Sequence, residues 1–311
     1  MTTMDWEAHR LHLLSAPPSE GLRALAKDIS RGSKPVRCWR LGGGIGAATH
    51  ALDVETRSGR ILQLVLKRFV RGTRFDGSEW KRLRFAAGLD VPTPEPVALD
   101  EEGRWFDGPS FVMTRLPGRP DVNPANLDRW LNEIASALLL IHDHAISRAP
   151  ALMRAPHRFE FWKPPDGIRL SPLVERAIEQ VEGHLPLAFA ARRVVSHGDF
   201  HPGNLLWRRR LLSGVVDWSG AHLMPRAFDV AYCRADLTVL LGLDAAQRFL
   251  RIYQERFGSA LDGVWVWDLM CALSAVRWGH LYVQGYREQG RDDLTARNVW
   301  PRVSALLRSA L

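Results

Sequence analysis

The sequence predicts an α+β chain in two parts: an N-terminal lobe built on an antiparallel sheet, and a larger, mainly helical C-terminal lobe. Three observations predict it. Short apolar runs separated by glycine-bearing turns fill the first third, where Val36–Leu41, Thr49–Thr56, Ile61–Phe69 and Phe111–Thr114 each read as a strand. Beyond residue 127 the apolar positions recur at helical spacing instead, as in Trp130, Leu131, Ile134, Leu138 and Ile141. A chain of 311 residues is long enough for two domains or lobes. The boundary is expected near residue 118, which divides the chain into 1–118 and 119–311.

In the first lobe, residues 1 to about 30 carry Trp6, Leu11, Leu13 and Leu14 before the Pro17-Pro18 break, and Leu22, Leu25 and Ile29 after it. They read as helical cover on the lobe. Val36–Leu41 runs into Gly42-Gly43-Gly44-Ile45-Gly46, and the next strand closes at Ser58-Gly59. A strand, a glycine-rich turn and a strand let backbone N–H groups approach phosphates without obstruction, although ordinary hairpin turns are also this rich in glycine. The alternation of the third strand breaks at Lys67, an ammonium at the end of an apolar run and costly to bury unpaired; Arg68 is its nearest rival. Asp90–Pro96 is an extended connector punctuated by proline. Val97–Leu99 and Trp105-Phe106 are expected to pair as a hairpin, Phe111–Thr114 is the last strand, and Arg115–Gly118 leaves the lobe.

In the second lobe, Leu127–His144 is an amphipathic helix. His142 and His144 at its end fit the helix C-terminal dipole better than a metal. Residues 150–172, with Phe159, Phe161, Trp162 and the Pro164-Pro165 break, read as a loop that either walls a site or packs as a hydrophobic insertion. Leu205–Trp207 and Leu211-Leu212 flank Arg208–Arg210 and suggest a hairpin with a basic turn. That hairpin would gather Asp199, Asn204 and Asp217, three oxygen-bearing side chains suited to a hard cation such as Mg²⁺. Phosphoryl transfer needs such a cluster, because its catalysis is mostly positioning and charge neutralisation. His197, Asp199 and His201 offer the alternative of a transition-metal site, but Pro202-Gly203 makes the segment a turn and leaves Asn204 without a role. Asp229 reads as a structural N-cap. Helices follow over Asp236–Leu243, Ala245–Phe257, Val264–Gln289 and Thr295–Leu311. Trp265, Trp267, Trp278, His280, Tyr282 and Tyr286 crowd one of them, as core or as pocket lining.

Composition narrows the function classes. A chain with 46% hydrophobic and 24% charged residues is an ordinary soluble globular one. No apolar run approaches the roughly 18 residues of a membrane helix. The start, MTTMDWEAHRLHLL, lacks a signal peptide's basic head and cleavage site, so a cytoplasmic location is expected. Cys38, Cys233 and Cys271 have no paired spacing and indicate neither disulfides nor a zinc ribbon. The net charge of +8 admits an anionic partner. The arginines are dispersed, however, and no stacking-aromatic motif is present, which argues against nucleic acid.

His197-Gly198-Asp199-Phe200-His201-Pro202-Gly203-Asn204, followed by Val215-Val216-Asp217-Trp218, resembles the catalytic loop and metal-binding motif of the aminoglycoside phosphotransferase family, which has a protein-kinase-like fold. The resemblance extends from about residue 36 to 300. It implies that Asp199 is the catalytic aspartate and that Asn204 and Asp217 bind Mg²⁺. It implies further that Lys67 contacts the nucleotide phosphates and is oriented by Glu79. Gly43 and Gly44 would approach the phosphates, and Met113, Thr114 and Leu116 would form the hinge against the adenine. His197 would anchor the loop, and His201 would assist substrate or loop geometry. Gly46-Ala47-Ala48 departs from the family, which tends to carry Asn or Ser after the glycines. The implied activity is Mg²⁺-dependent transfer of the γ-phosphate of ATP, or GTP, to a hydroxyl of a small molecule: an aminoglycoside, a macrolide, a sugar or an amino alcohol. The basic chain, with few carboxylates besides Asp262 and Asp268 on its candidate acceptor helices, tilts toward a neutral or less cationic acceptor. No Ala-Pro-Glu segment follows Asp217, which argues against a protein substrate. The competing class is a nucleotide-binding module without transfer. Its signal would be the loss of Asp199, Asn204, Asp217 or Lys67, and all four are present.

Overall fold

The computed structural model describes residues 11–42, 46–70, 75–150, 153, 162–163 and 169–311. The chain divides into two compact units, one made of Met1–Ala87 and Thr93–Leu116, the other of Gly88–Pro92 and Pro117–Leu311.

The first unit is a five-stranded antiparallel sheet in the order β1-β2-β3-β5-β4. Its strands are β1 Lys34–Arg40, β2 Ala48–Glu55, β3 Ile61–Arg68, β4 Pro96–Asp100 and β5 Ser110–Thr114. Strand alternation sends Leu52, Val54, Leu64, Leu66 and Val112 to one face, where they share a core with Leu22, Leu25 and Ala26 of helix α1, Ser19–Ile29. The expected N-terminal cover is present in its second half, Leu22 to Ile29, whereas Leu11 and Leu14 are exposed and Trp6 lies outside the described residues. Gly21 fits only as glycine, since a Cβ there would lie 2.2 Å from the Trp105 carbonyl oxygen. The other face carries the cross-strand pair Lys67 and Phe111 and receives α2, Ser78–Ala86, whose Trp80 ring lies 5.7 Å from that of Phe111.

One expected pairing is corrected. β4 pairs with β5 and not with Trp105-Phe106. The buried Asp100 carboxylate accepts from Trp105 N–H at 2.7 Å, which folds the chain back before a second strand can form. The Trp105 indole donates to Asp28 at 2.6 Å, and Phe106 joins the core under α1. These side chains are worth more as core than as ladder, about 1.5–3 kcal/mol each when fully buried.

In the second unit, β8 Leu205–Arg208 and β9 Leu211–Val215 form the anticipated hairpin, with β6 Arg119–Pro120 on the free edge of β8. A second ladder joins β7, Arg193–Ser196, to β10, His222–Pro225. The helices are α3 Leu127–His142, α4 Pro172–Ala190, α5 Arg226–Leu241, α6 Leu243–Phe257, α7 Val264–Glu288 and α8 Ala296–Ala310. Apolar faces of α4, α5, α7 and α8 meet in one large core that includes Val181, Phe228, Trp267 and Leu307.

Two of these helices differ from expectation. α4 is unassigned in the sequence reading, although Ser171 caps it and Val174, Ala177 and Val181 are buried at helical spacing. Pro186 and the exposed Leu187 blur that period. α5 begins at Arg226, three residues before the opening expected at Asp229 and ten before the run expected from Asp236; it is buried on nearly all sides and so shows no amphipathic stripe. Cys38, Cys233 and Cys271 are free thiols, and no described helix is long and apolar enough to cross a membrane.

Candidate active site

The loop after β7 is pinned from below. Asp229, in the first turn of α5, accepts from His197 N–H at 2.8 Å and Gly198 N–H at 3.0 Å. It also faces His142 Nε2 at 3.2 Å, while His142 Nδ1 is 2.6 Å from the Tyr253 hydroxyl. A carboxylate can only accept, so His142 donates from Nε2 and receives the tyrosine proton at Nδ1. Burial lowers the His142 pKa and Asp229 only partly restores it, which keeps the ring neutral. For Asp229 burial acts the other way, but the hydrogen bonds from His142 and from the loop N–H groups outweigh it and hold the carboxyl below its usual range. The N-cap expected of Asp229 is thereby corrected: it anchors the loop. His142, expected to sit against a helix dipole, is a buried strut under the same aspartate.

Within the loop, Gly198 adopts φ +80°, and a Cβ there would lie 1.9 Å from the Gly220 carbonyl oxygen. The His197 ring is buried, with Nε2 3.0 Å from the Val216 carbonyl and Nδ1 accepting from Asp199 N–H at 3.3 Å. Both ring nitrogens are engaged, as the loop-anchoring expectation requires. Among the described residues no group of three His, Cys, Asp or Glu side chains could hold a metal ion. The transition-metal alternative is set aside on both counts.

Asn204 donates from Nδ2 to the Asp199 carboxylate at 2.9 Å and to its carbonyl oxygen at 3.0 Å. Its amide nitrogen thus faces Asp199, and its side-chain oxygen is left as a donor for a hard cation. Val216 N–H donates to the Asn204 carbonyl at 3.0 Å, tying the end of β9 to the loop. Asp217 follows in the left-handed region at φ 63°, a strained conformation for a non-glycine residue at the end of a strand. One neutral and one anionic oxygen donor from adjoining segments fit Mg²⁺, which is bound through few protein ligands and keeps its waters.

Around Asp199 stand the two expected histidines and, in addition, Tyr232, which the sequence does not single out. Burial works against its charge, but His201, the Tyr232 hydroxyl and His197 outweigh burial and hold the carboxyl below its usual range. His201 Nε2 lies 3.7 Å from Asp199 Oδ2, and His201 Nδ1 lies 3.7 Å from Asp236 Oδ1. Burial lowers the His201 pKa, yet the two aspartates raise it to about 9. Asp236 is pushed up to about 6 by burial, against the pull of His201 and Tyr286. Asp268, one of the two carboxylates noted for the acceptor helices, is buried against Arg234 at 3.3 Å. The sequence marks Tyr286 only as one of the aromatics crowding its helix, and Asp236 only as a helix start; no local signal ties either to His201, since that contact is 85 and 35 residues away.

In the first unit, Lys67 Nζ meets Glu79 Oε1 at 2.5 Å, with both side chains largely buried. Arg68 points the other way, as a neighbouring strand residue must, and donates to the Ser15 carbonyl at 2.6 Å. In the expected hinge, Thr114 N–H donates to the Glu95 carbonyl at 2.8 Å and its hydroxyl accepts from Glu95 N–H at 2.8 Å. The Thr114 amide is therefore committed within the sheet. Met113 is buried in β5, and Leu116 is half-buried two residues past its end. Gly43 and Gly44 lie outside the described residues, as do Phe159 and Phe161.

With this geometry in hand, comparison with known proteins is decisive. The sequence model of the phosphotransferase enzyme family matches residues 42–268, which is most of the chain and includes the whole loop from His197 to Asp217. The chain belongs to the phosphotransferase enzyme family. Homoserine kinase of Beijerinckia indica is 30% identical over 172 residues, and the match spans 50% of this chain and only 52% of that enzyme. Among solved structures, a thermostable variant of aminoglycoside phosphotransferase APH(4)-Ia in ternary complex with ADP and hygromycin B superposes with a TM-score of 0.60. It is 16% identical and covers 93% of this chain and 98% of its own. Choline kinase LicA of Streptococcus pneumoniae gives 0.59 at 19% identity, covering 92% and 98%. At such identities the likeness is one of fold. The protein-kinase-like fold class expected from the 197–218 motif is the fold class of this chain.

Proposed function

We propose that this phosphotransferase moves the γ-phosphate of ATP, with Mg²⁺, to a hydroxyl of a small molecule. The carrying observation is the Asp199 carboxylate, held ionised by His201 and Tyr232 and fixed by Asn204 Nδ2 at 2.9 Å, within the loop characteristic of the family. A carboxylate so held orients an acceptor hydroxyl and takes its proton. Asn204 and Asp217 would hold the metal, which when bound neutralises charge on the transferring phosphoryl group. Lys67, oriented by Glu79, would hold the nucleotide phosphates. Of the hinge residues, Met113 and Leu116 remain candidates for backbone contact with the base. The nucleotide assignment is supported by the ADP of the related ternary complex. The small-molecule acceptor is supported by relatives named for homoserine, choline and an aminoglycoside.

The test is Mg²⁺-dependent phosphate transfer from ATP to a panel of aminoglycosides, macrolides, sugars and amino alcohols, with Asp199→Asn as control. Transfer to one class that disappears in the variant establishes the reaction and its acceptor together. Nucleotide binding with neither transfer nor Asp199-dependent ATP hydrolysis would identify a binding module instead.

A further inference from the structure

Asp236 on α5 and Tyr286 on α7 lie behind His201, and the proposed chemistry does not touch them. Asp236 is 1% exposed and Tyr286 3%. The Tyr286 hydroxyl donates to Asp236 Oδ1. A phenol has one proton, and with that proton directed to Asp236 its oxygen meets His201 Nδ1, 3.1 Å away, as an acceptor. Asp236 Oδ1 adds a second oxygen 3.7 Å from the same nitrogen. Gly203 N–H also lies 3.2 Å from Nδ1, but one amide dipole opposes two oxygens, one of them carboxylate. The ring therefore donates at Nδ1, and its opposite corner, Nε2, faces Asp199 Oδ2.

We propose that Asp236 and Tyr286 are positioning residues for Asp199, acting through His201: they fix the imidazole so that its Nε2 sets where the Asp199 carboxylate stands for the acceptor hydroxyl. This rests on the phosphotransfer assigned to Asp199 above. The edge-on packing of the His201 and Tyr286 rings, at 87° and 6.1 Å between centroids, fixes the ring plane as the hydrogen bond fixes its rotation. Stability alone does not account for the arrangement. Asp236 Oδ2 is buried without a hydrogen-bond partner among the described residues, which costs folding free energy where an apolar side chain would not. Such a local conflict belongs where geometry beside a site is worth more than packing.

The experiment measures Mg·ATP turnover, both hydrolysis without acceptor and transfer to the acceptor found in the panel. It compares wild type, Asp236→Asn, Tyr286→Phe, Asp199→Asn and each first substitution combined with Asp199→Asn. The single variants should lose about 10- to 100-fold in kcat, the usual effect of removing a group that orients a ligand or reactant, with KM for ATP within about threefold of wild type. In the Asp199→Asn background the same substitutions should change the rate by less than about twofold, because residues acting through one group are not additive. Equal losses in both backgrounds, a loss confined to KM, or an unchanged kcat overturn the proposal. Tyr286→Phe keeps the ring and removes one oxygen, so it decides the matter even where Asp236→Asn fails to fold. A wild type with no Asp199-dependent turnover removes phosphotransfer and the positioning role with it, whereas wild-type turnover left intact by Tyr286→Phe removes only the latter.

Discussion

Asp199 and Asp229 are both aspartates of the same loop system, yet opposite consequences are expected when each is replaced. Asp199→Asn keeps the shape and removes the charge that receives the hydroxyl proton. Turnover should fall roughly 10²- to 10⁴-fold, the worth of a positioned general base, with a thermal midpoint close to wild type. Phosphate transfer and a melting curve on the same sample check both halves. Asp229→Ala strips the acceptor from the buried His197 N–H, from the half-buried Gly198 N–H and from His142. Each orphaned group costs about 1–3 kcal/mol, so stability should fall by more than the roughly 1 kcal/mol of a lost N-cap. A urea titration giving only the smaller loss would restore the cap reading. The contrast also explains what was legible in the sequence. Asp199, Asn204 and Asp217 lie within 19 residues, so their spacing announces them. Asp229 resembles any polar residue opening a helix, because its partners stand more than 30 residues earlier.

Strand alternation, glycine turns and the period of α3 are local properties, which is why the sheet of the first unit and the β8–β9 hairpin could be read directly. Elements defined by tertiary burial could not. α5 hides its start because it is buried on nearly all sides and so has no amphipathic stripe, and the segment after β4 is withdrawn from the sheet by one buried carboxylate, Asp100. The β8–β9 turn shows a local choice that works against the element it serves. Arg209 and Arg210 take φ 53° and 65°, the mirror-image turn that suits strand twist but favours asparagine and glycine. The left-handed region costs an ordinary residue roughly 1–2 kcal/mol, and both arginines are exposed. Arg209→Asn combined with Arg210→Gly should therefore raise stability by about 1–2 kcal/mol and leave phosphate transfer unchanged. Urea midpoints beside the transfer assay test it, and a lower midpoint would mean that the arginine side chains contribute more than the turn costs.

Across the whole molecule, buried titratable groups make stability a function of pH in two opposing senses. His50 is 2% exposed, and burial reinforced by the Arg68 charge lowers its pKa to about 4. Unfolded, it would titrate near 6.5. The unfolded chain therefore binds the extra proton first, so the contribution of His50 is complete above about pH 6.5 and is lost as pH falls toward 4. His142 and His197, lowered chiefly by burial, add to the same loss. Asp268 acts in reverse. Burial, only partly offset by Arg234, raises it to about 7, so the folded chain holds a proton that the unfolded chain has released, and its contribution declines as pH rises through 7. Two variants separate these limbs, provided that slopes and not absolute midpoints are compared. His50→Gln should lose less urea stability than wild type between pH 7 and pH 4.5, because one of the groups driving the acid limb is gone. Asp268→Asn should lose less than wild type between pH 5 and pH 8, and should run parallel to wild type only below about pH 4, where the carboxyl is protonated in the folded and the unfolded chain alike. If His50→Gln steepened the acid limb, the ring would have to be charged in the native state, with an anionic partner in place of Arg68. The identity of its neighbours, and not only its burial, is thus what the pH titration reads.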